Sequence, residues 1–236
     1  MIIGLLGTVG SGKTVTAVKF IYQRNCKAYT NFTVKQGNAE QLKIDNVLKT
    51  KVLGIKKSGQ QITDLEINWD FWNDAKKQYS GFDIYLDEVH NLVHSREAMQ
   101  KKNILLSKWL SQIRKILGNT EKHHLFLISQ RLGRIDLSFR DLLDTIIYNV
   151  KVQGKKRIRT EVVENGKHRY KNIPVTFIIQ YIFTGENCVF KYNFFRDNPR
   201  MARNMKMYRK SVFLANPYFK YYDSYEIVRF GETVYL

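Results

Sequence analysis

The stretch Gly7-Thr8-Val9-Gly10-Ser11-Gly12-Lys13-Thr14 decides the fold class. It fits the pattern GxxxxGK[ST] in full, follows the short apolar run Ile2–Leu6 and precedes a segment with helical periodicity, Val15–Gln23. Glycines at these positions let backbone N–H groups turn inward around a phosphate, where side chains would collide with it. The helix start behind the loop adds the positive end of its dipole. The stretch therefore predicts a strand, a phosphate-binding loop and a helix, in that order.

The loop also predicts which residues would hold a nucleoside triphosphate. Lys13 would reach the β- and γ-phosphates, and the Thr14 hydroxyl would ligate Mg²⁺. The predicted cofactors are ATP and Mg²⁺. The predicted nucleotide-binding residues are Gly7, Gly10, Ser11, Gly12, Lys13, Thr14 and Val15.

A second apolar run, Phe82–Leu86, ends in the acid pair Asp87-Glu88. In a protein with a phosphate-binding loop, the acid that closes such a strand holds Mg²⁺, so Asp87 is the predicted metal residue beside Thr14. Glu88 is then placed to orient the attacking water, which favours hydrolysis. Adjacent carboxylates are also common on protein surfaces, and a surface pair is the alternative interpretation.

Two further residues complete the predicted catalytic set of Lys13, Glu88, Gln130 and Arg114. Gln130 closes the apolar run His124–Ser129, where a polar side chain could sense the γ-phosphate because ligands bind at the carboxyl ends of parallel strands. The alternative is an ordinary hydrogen-bonded amide at a strand end. Arg114 lies near the end of a predicted helix, Lys101–Leu117, where a cation could equally interact with the helix dipole.

Apolar runs that alternate with helical periods predict an α/β fold, a P-loop NTPase with a mainly parallel sheet flanked by helices. Lys and Arg number 39 against 21 Asp and Glu, so the formal net charge is +18. Residues 151–210 contain 15 Lys and Arg against 4 Asp and Glu, a net +11. We therefore divide the chain into an ATPase core, residues 1–150, and a basic extension, residues 151–236, packed on it. This excess of positive charge predicts a polyanionic partner.

The extension is predicted to contain β-hairpins and a helix. Asn165-Gly166, between Arg157–Val163 and the segment that begins at His168, is a strong type I′ turn pattern. A second hairpin is predicted between Val175–Phe183 and Cys188–Phe195. The basic segment Arg196–Lys210 is predicted to be helical.

The histidines and cysteines do not predict a metal centre. His90 and His94 have the spacing of zinc ligands on a helix, but no third ligand follows at a useful distance. His123-His124 lead into a strand and are expected at its solvent-exposed entry. Cys26 and Cys188 lie far apart and are expected to be reduced thiols, which favours a cytoplasmic location. We expect neither a signal peptide nor a membrane span, since no apolar run is long enough to cross a bilayer.

Together, the loop, the Asp87-Glu88 strand, Arg114 and the strand ending in Gln130 resemble the FtsK–HerA superfamily of nucleic-acid-translocating ATPases. The small size and Asp87–Leu92 are similar to its viral branch, which includes genome-packaging ATPases and zonula occludens toxin-like proteins. The resemblance covers residues 1 to about 150. Ala28–Asn31 also resembles the second strand of that group, and Tyr221–Ser224, outside this range, weakly resembles its terminal motif.

The resemblance implies a homo-oligomeric ring, usually a hexamer, in which Arg114 would reach the γ-phosphate bound by a neighbouring subunit. It also implies DNA as the partner, without sequence specificity, and a capsid or virion partner. Filamentous-phage members carry a membrane span, which this chain lacks. The first hypothesis is therefore a viral genome-packaging translocase. The alternatives are an extrusion or assembly ATPase of a filamentous virus, and a monomeric P-loop phosphotransferase whose basic segment is a lid.

Overall fold

The strands that carry the predicted site residues lie side by side in one central sheet. The computed structural model describes residues 1–35, 37–56, 58, 60–88, 101–117, 122–135, 137–163 and 167–222. The strands of the sheet are β1 (Ile2–Leu6), β2 (Lys27–Thr30), β3 (Ala39–Gln41), β6 (Phe82–Leu86), β7 (His124–Ser129), β8 (Thr145–Val163), β9 (Lys167–Thr184) and β10 (Arg209–Leu214). The helices are α1 (Lys13–Arg24), α2 (Ile44–Val47), α3 (Trp69–Gln78), α4 (Lys101–Leu117), α5 (Leu137–Arg140), α6 (Cys188–Asp197) and α7 (Pro199–Asn204).

Some sequence predictions concern positions outside these ranges. They are the turn residues 164–166, the histidines at positions 90 and 94, and the last two residues of the stretch that begins at Tyr221.

The described strands of the sheet run in the order β10-β9-β8-β1-β7-β6-β2-β3. The six strands from β8 to β3 are parallel to their neighbours. Strands β9 and β10 are added antiparallel at one side. The predicted α/β fold with a mainly parallel sheet is therefore confirmed. Because the carboxyl ends of parallel strands meet at one edge, the segments after β1, β2, β6 and β7 emerge together there, and we call this the catalytic edge.

Side chains alternate between the two faces of the sheet, and each face packs against different helices. On one face, Tyr85 and Phe126 pack with the buried side of α1, which includes Val18. On the other face, Ile84 and Leu127 pack with the buried side of α3 and α4. Because helices cover both faces of the sheet, both faces of β6 and β7 are buried, which explains why their sequences are almost continuously apolar.

Strands β8 and β9 form a hairpin that extends far beyond the rest of the sheet. Strand β8 pairs with β1 only from Thr145 to Tyr148, and β10 pairs with β9 only from Phe177 to Ile182. Residues 154–163 and 167–175 therefore pair only with each other, as a two-stranded ribbon that we call the basic arm. At about 3.3 Å per residue the arm is about 30 Å long. It leaves the catalytic edge, because β8 runs parallel to β1. The Asn-Gly pattern correctly predicted this hairpin. Residue 150, at which the sequence analysis divided the chain into core and extension, lies inside β8.

The predicted second hairpin is wrong, because Cys188–Asp197 forms helix α6 instead of a strand. The buried residues Cys188 and Tyr192 are four apart and lie on one helical face against Phe183. The basic segment predicted as one helix is helical only in part. It ends α6, forms α7, and then becomes β10, which adds to the edge of the sheet beside β9.

Strands β4 (Leu48–Ile55) and β5 (Gln61–Ile67) form a separate antiparallel hairpin, which the sequence analysis did not anticipate. Both cysteines are free. None of the helices in the described ranges has the length and apolar character needed to cross a lipid bilayer.

Candidate active site

The loop between β1 and α1 has the backbone conformation that its glycines predict. Gly10 and Gly12 have φ values of 72° and 88°, in the left-handed region that side chains rarely adopt. A Cβ on Gly12 would collide with Ile178 of β9, so this position also requires glycine for space. A Cβ on Gly7 would lie 2.7 Å from the carbonyl oxygen of Asn149 in β8. The loop is thus held closely against the root of the basic arm.

Two polar side chains of the loop, Lys13 and Ser11, are buried. The Lys13 ammonium donates a hydrogen bond to the Thr8 carbonyl at 3.2 Å and so curls back over the loop. Burial lowers the pKa of Lys13, although Asp87 and Glu88 act to raise it. The Ser11 hydroxyl oxygen is buried and has no hydrogen-bond partner among the described residues. A buried hydroxyl and a buried ammonium in this position are suited to a phosphate anion.

Thr14 and Asp87, the predicted metal residues, are in direct contact. The Thr14 hydroxyl donates to the Asp87 carboxylate at 2.8 Å. Asp87 is 5% exposed. Burial raises its pKa above the ordinary value, although the Thr14 hydroxyl and the Glu88 backbone N–H act against this. A buried carboxylate with a raised pKa gains most from a nearby cation. Hydroxyl and carboxylate oxygens are ligands that Mg²⁺ prefers, so the pair fits this metal.

Glu88 and Gln130 also meet at the catalytic edge. Strand β7 lies between β1 and β6, so the residue that follows it is next to both the loop and the acid pair. The Gln130 side-chain amide donates to a carboxylate oxygen of Glu88 at 3.2 Å. Glu88 has a φ of 47°, a conformation that is uncommon for a residue with a side chain. This conformation and the amide contact hold the carboxylate in a defined direction beside Asp87.

Arg114 does not join the other predicted site residues within one chain. It lies in the last turn of α4, and its guanidinium is 3.6 Å from the Asp144 carboxylate. Asp144 accepts a hydrogen bond from the N–H of Ile2, the first residue of β1, at 2.7 Å. Arg114 is therefore near the amino edge of the sheet, about 15 Å from its own loop, since β1 rises about 3.3 Å per residue. Its role in a neighbouring subunit's site stays a prediction.

With this geometry established, the chain can be compared with known proteins. It is similar to the N-terminal domain of zonular occludens toxin from Neisseria meningitidis, at 16% identity and a TM-score of 0.46, over 94% of this chain and 98% of that one. It is also similar to the genome packaging NTPase B204 from Sulfolobus turreted icosahedral virus 2, which was solved in complex with ATP-gammaS. The identity is 17% and the TM-score 0.36, over 62% of this chain and 72% of that one.

A third similar structure is B204, the DNA-packaging ATPase from Sulfolobus Turreted Icosahedral Virus, at 16% identity and a TM-score of 0.36, over 62% of this chain and 74% of that one. Both groups that the sequence motifs resemble are therefore among the structures similar to this chain. No family profile matches the chain, and no curated protein sequence matches it.

Asn31 is a site residue whose role the sequence analysis missed. Its side-chain amide donates to the Asp87 carbonyl at 2.9 Å and accepts from the Asp87 N–H at 2.7 Å. This two-point contact fixes the backbone from which Asp87 and Glu88 project. Asn31 belongs to the Ala28–Asn31 stretch used for the family resemblance, but only the adjacency of β2 and β6 places it against Asp87.

Two other residues near the site, Asn149 and Arg134, were also missed. Asn149, fully buried in β8, donates to the Thr16 hydroxyl at 3.1 Å and accepts from Gln180 at 3.5 Å. These bonds connect the root of the basic arm to α1. Arg134, in a 3-10 turn after Gln130, contributes to lowering the pKa of Lys13. No short motif contains these residues, since they come together only when the sheet forms.

Proposed function

We propose that this chain is an ATP-driven nucleic-acid translocase that acts as a ring and packages a viral genome. The observation that carries the proposal is that the candidate nucleotide site and the basic arm share one edge of one sheet. The loop lies so close to Asn149 of β8 and Ile178 of β9 that a Cβ on Gly7 or Gly12 would collide with them, and the arm begins a few residues further along these two strands. A rearrangement of the loop on hydrolysis would therefore occur next to the strands that carry the basic arm, the element most suited to hold a polyanion.

The residues of the catalytic edge would have different roles in hydrolysis. Lys13 and the loop N–H groups would bind the phosphates, and Thr14 and Asp87 would hold Mg²⁺. When bound, the metal ion would neutralise charge on the phosphate oxygens. Glu88 would accept a proton from the attacking water and orient it, and Gln130 would fix Glu88 through the 3.2 Å contact. A phosphotransferase would not need a base at this place.

The basic arm supplies the nucleic-acid contact. Residues 154–175 contain seven Lys and Arg against two Glu, a net +5. Lys155 and Arg157 are exposed and alternate along β8, so they share one face, on which Arg157 also stacks over Tyr170 at 4.1 Å. Cations on a ribbon contact the phosphate backbone, and such contacts position a protein without reading sequence. The arm therefore favours a nucleic acid bound without sequence preference, and we propose DNA because of the resemblance to the packaging ATPases.

The proposed ring explains the position of Arg114. Its side chain is 53% exposed and lies at the amino edge, so it serves the γ-phosphate of a neighbouring subunit and not its own. We place this assembly, a hexamer with a capsid or virion partner, in the host cytoplasm.

The first experiment measures ATP hydrolysis with and without DNA at several salt concentrations. We expect DNA to stimulate hydrolysis, and the stimulation to fall steeply with salt because binding releases counterions. Lys13→Ala should abolish hydrolysis, whereas Lys108→Ala, which removes an exposed lysine of α4, should not. A wild-type protein that hydrolyses no ATP would refute the proposal.

The arm has its own test. Replacing Lys155 and Arg157 with Gln should weaken DNA binding about tenfold at moderate salt and reduce the salt dependence. The matched control replaces Lys108 and Lys115, two exposed lysines of α4, with Gln. If the two double variants bound DNA with equal affinity, the arm would not be the element that contacts the nucleic acid.

The ring is tested by mass and by mixing. With ATP and DNA bound, the protein part of the particle should have about six times the chain mass of 27.9 kDa. Arg114→Ala mixed with Glu88→Gln should recover part of the activity, because some interfaces then combine an intact Glu88 with an intact Arg114. A strict monomer that transfers phosphate to a small molecule would favour a phosphotransferase with the arm as its lid.

A further inference from the structure

The chain crosses α1 after its last strand and reaches the catalytic edge from the far side. We call residues 215–222 the C-terminal belt. It begins beside β9, where the Ala215 N–H donates to the Thr176 carbonyl at 2.8 Å, and continues as a 3-10 turn, Asn216–Tyr221. The Asn216 side chain accepts from the Thr176 N–H at 2.7 Å. The start of the belt is thus fixed to the central sheet.

The end of the belt is fixed to the segment that follows β2. The Lys35 N–H donates to the Tyr221 carbonyl at 2.8 Å, and Tyr222 forms an antiparallel bridge with Val34. The ring of Tyr221 stacks on Tyr22 of α1 at a centroid distance of 4.3 Å. The belt therefore connects the β9 side of the sheet to the β2 side, across the outer surface of α1.

This path brings Tyr222 to the metal end of the candidate site. Tyr218 and Tyr222 pack against the buried cluster of Val15, Ile178 and Ala215, and Val15 directly follows Thr14. The Thr14 hydroxyl in turn contacts Asp87 at 2.8 Å. Tyr222 also bridges Val34, which follows closely after Asn31, and the Asn31 side chain bonds the Asp87 backbone at 2.9 and 2.7 Å. Burial, and after it the Asp87 charge, raise the pKa of Tyr222 to about 12. At neutral pH the phenol is uncharged and can donate one hydrogen bond.

We propose that Tyr222 is a positioning residue for the Mg²⁺–nucleotide complex, and that its hydroxyl supplies a hydrogen bond on the Asp87 side of the pocket. This inference rests on the proposed function, because it assumes that the site holds a magnesium nucleotide. It assigns a role in that site to the C-terminal belt, which lies outside the loop, the acid pair and the sensor strand. The belt also connects the outer edge of the sheet to the nucleotide site.

The experiment compares Tyr222→Phe with Tyr218→Phe in the full chain. Both substitutions keep the ring that packs against the cluster of Val15, Ile178 and Ala215, so thermal melting should show that both variants fold. Equilibrium binding of a fluorescent ATP analogue is measured once with Mg²⁺ and once with EDTA. We expect Tyr222→Phe to bind about fivefold more weakly with Mg²⁺, the effect of one lost neutral hydrogen bond, and to equal wild type with EDTA. Tyr218→Phe should equal wild type in both conditions.

Steady-state kinetics provide a second readout. The loss in Tyr222→Phe should appear mainly as a higher KM for Mg²⁺–ATP, while Glu88→Gln should lower kcat. Equal affinity of Tyr222→Phe and wild type with Mg²⁺, or an equal loss with and without Mg²⁺, would overturn the inference and leave the proposed function intact. A wild-type chain that does not bind Mg²⁺–ATP would instead refute the proposed function.

Discussion

Strand β6 has a buried carboxylate near each end, and the two carboxylates have opposite surroundings. Asp83, near the amino end, has a complete set of protein partners. Its carboxylate accepts hydrogen bonds from the Arg24 guanidinium at 2.5 Å, the His124 N–H at 3.1 Å and the Tyr85 hydroxyl at 3.2 Å. Burial acts to raise the pKa of Asp83, but the hydrogen bonds from His124 and Arg24 hold it below its ordinary value.

Asp87, directly after the carboxyl end, is nearly as buried, but among the described residues no cation pairs with it as Arg24 pairs with Asp83. It accepts from the Thr14 hydroxyl, while Lys13 donates to a loop carbonyl instead. Burial therefore dominates and raises the pKa of Asp87. The difference shows that burial of an acid does not by itself indicate function. A buried acid whose charge the protein already compensates stabilises the fold, whereas one whose charge is not compensated is suited to bind a cation.

The largest test of this comparison is the activity of Asp87→Asn. Removing the charge should reduce ATP hydrolysis about 1000-fold, because the carboxylate proposed to hold Mg²⁺ is lost. A bound metal ion stabilises the transition state of phosphoryl transfer by several kcal/mol. Specific activity is measured per folded molecule, with Asp83→Asn as the matched control at the other end of the strand. Comparable activities of the two variants would contradict the division into structural and functional acids.

The stability of Asp83→Asn is expected to show the reverse pattern. The substitution replaces the buried carboxylate with a neutral amide and weakens its hydrogen bonds from Arg24, His124 and Tyr85, and losing a hydrogen bond to a charged group costs about 2 kcal/mol. Urea unfolding of Asp83→Asn and Asp87→Asn measures the effect, with similar m-values required for both. If Asp83→Asn were as stable as wild type, the carboxylate would have no structural role.

The pH dependence of stability follows from the depressed pKa of Asp83. Its ionised form is favoured by folding, so the contribution is fully present above the unfolded pKa of about 4 and is lost as the pH falls through the lower folded value. Wild-type stability should therefore fall more steeply than that of Asp83→Asn below about pH 4. Parallel curves for the two proteins from pH 5 to the acid limit would exclude this linkage.

The same two acids show how far the sequence could predict the site. Asp87 and Glu88 were predictable because local rules place them: an apolar run gives a buried strand, and the loop motif identifies the edge at which it ends. The partners of Asp83 were not predictable, because Arg24 lies 59 residues away from it in the sequence and His124 lies 41 residues away. The prediction that His123 and His124 stand at a solvent-exposed strand entry was wrong, since both are buried.

The fold followed the same division between local and long-range information. The β8–β9 hairpin was predictable from the Asn-Gly turn, which acts on adjacent residues. Helix α6 was predicted as a strand because its aromatic residues suit either state, and only packing against Phe183 and Tyr148 selects the helical spacing. The positions of Asn31, Asn149 and Tyr222 depend on which strands become neighbours, which no local pattern specifies.

The smallest expected effect is a gain in stability when the charge of Asp87 is removed. A raised folded pKa means that the ionised carboxylate is disfavoured by folding, so stability falls as the pH rises through the interval between the unfolded and folded values. Above this interval Asp87→Asn should be more stable than wild type, because the amide carries no charge that burial disfavours. Thermal melting at pH 7 with EDTA measures the gain.

Adding Mg²⁺ and ATP should reverse the order of stability, because a bound cation compensates the wild-type carboxylate and has no counterpart charge in the variant. A wild type that remains less stable than Asp87→Asn with saturating Mg²⁺ and ATP would show that Asp87 does not bind the metal.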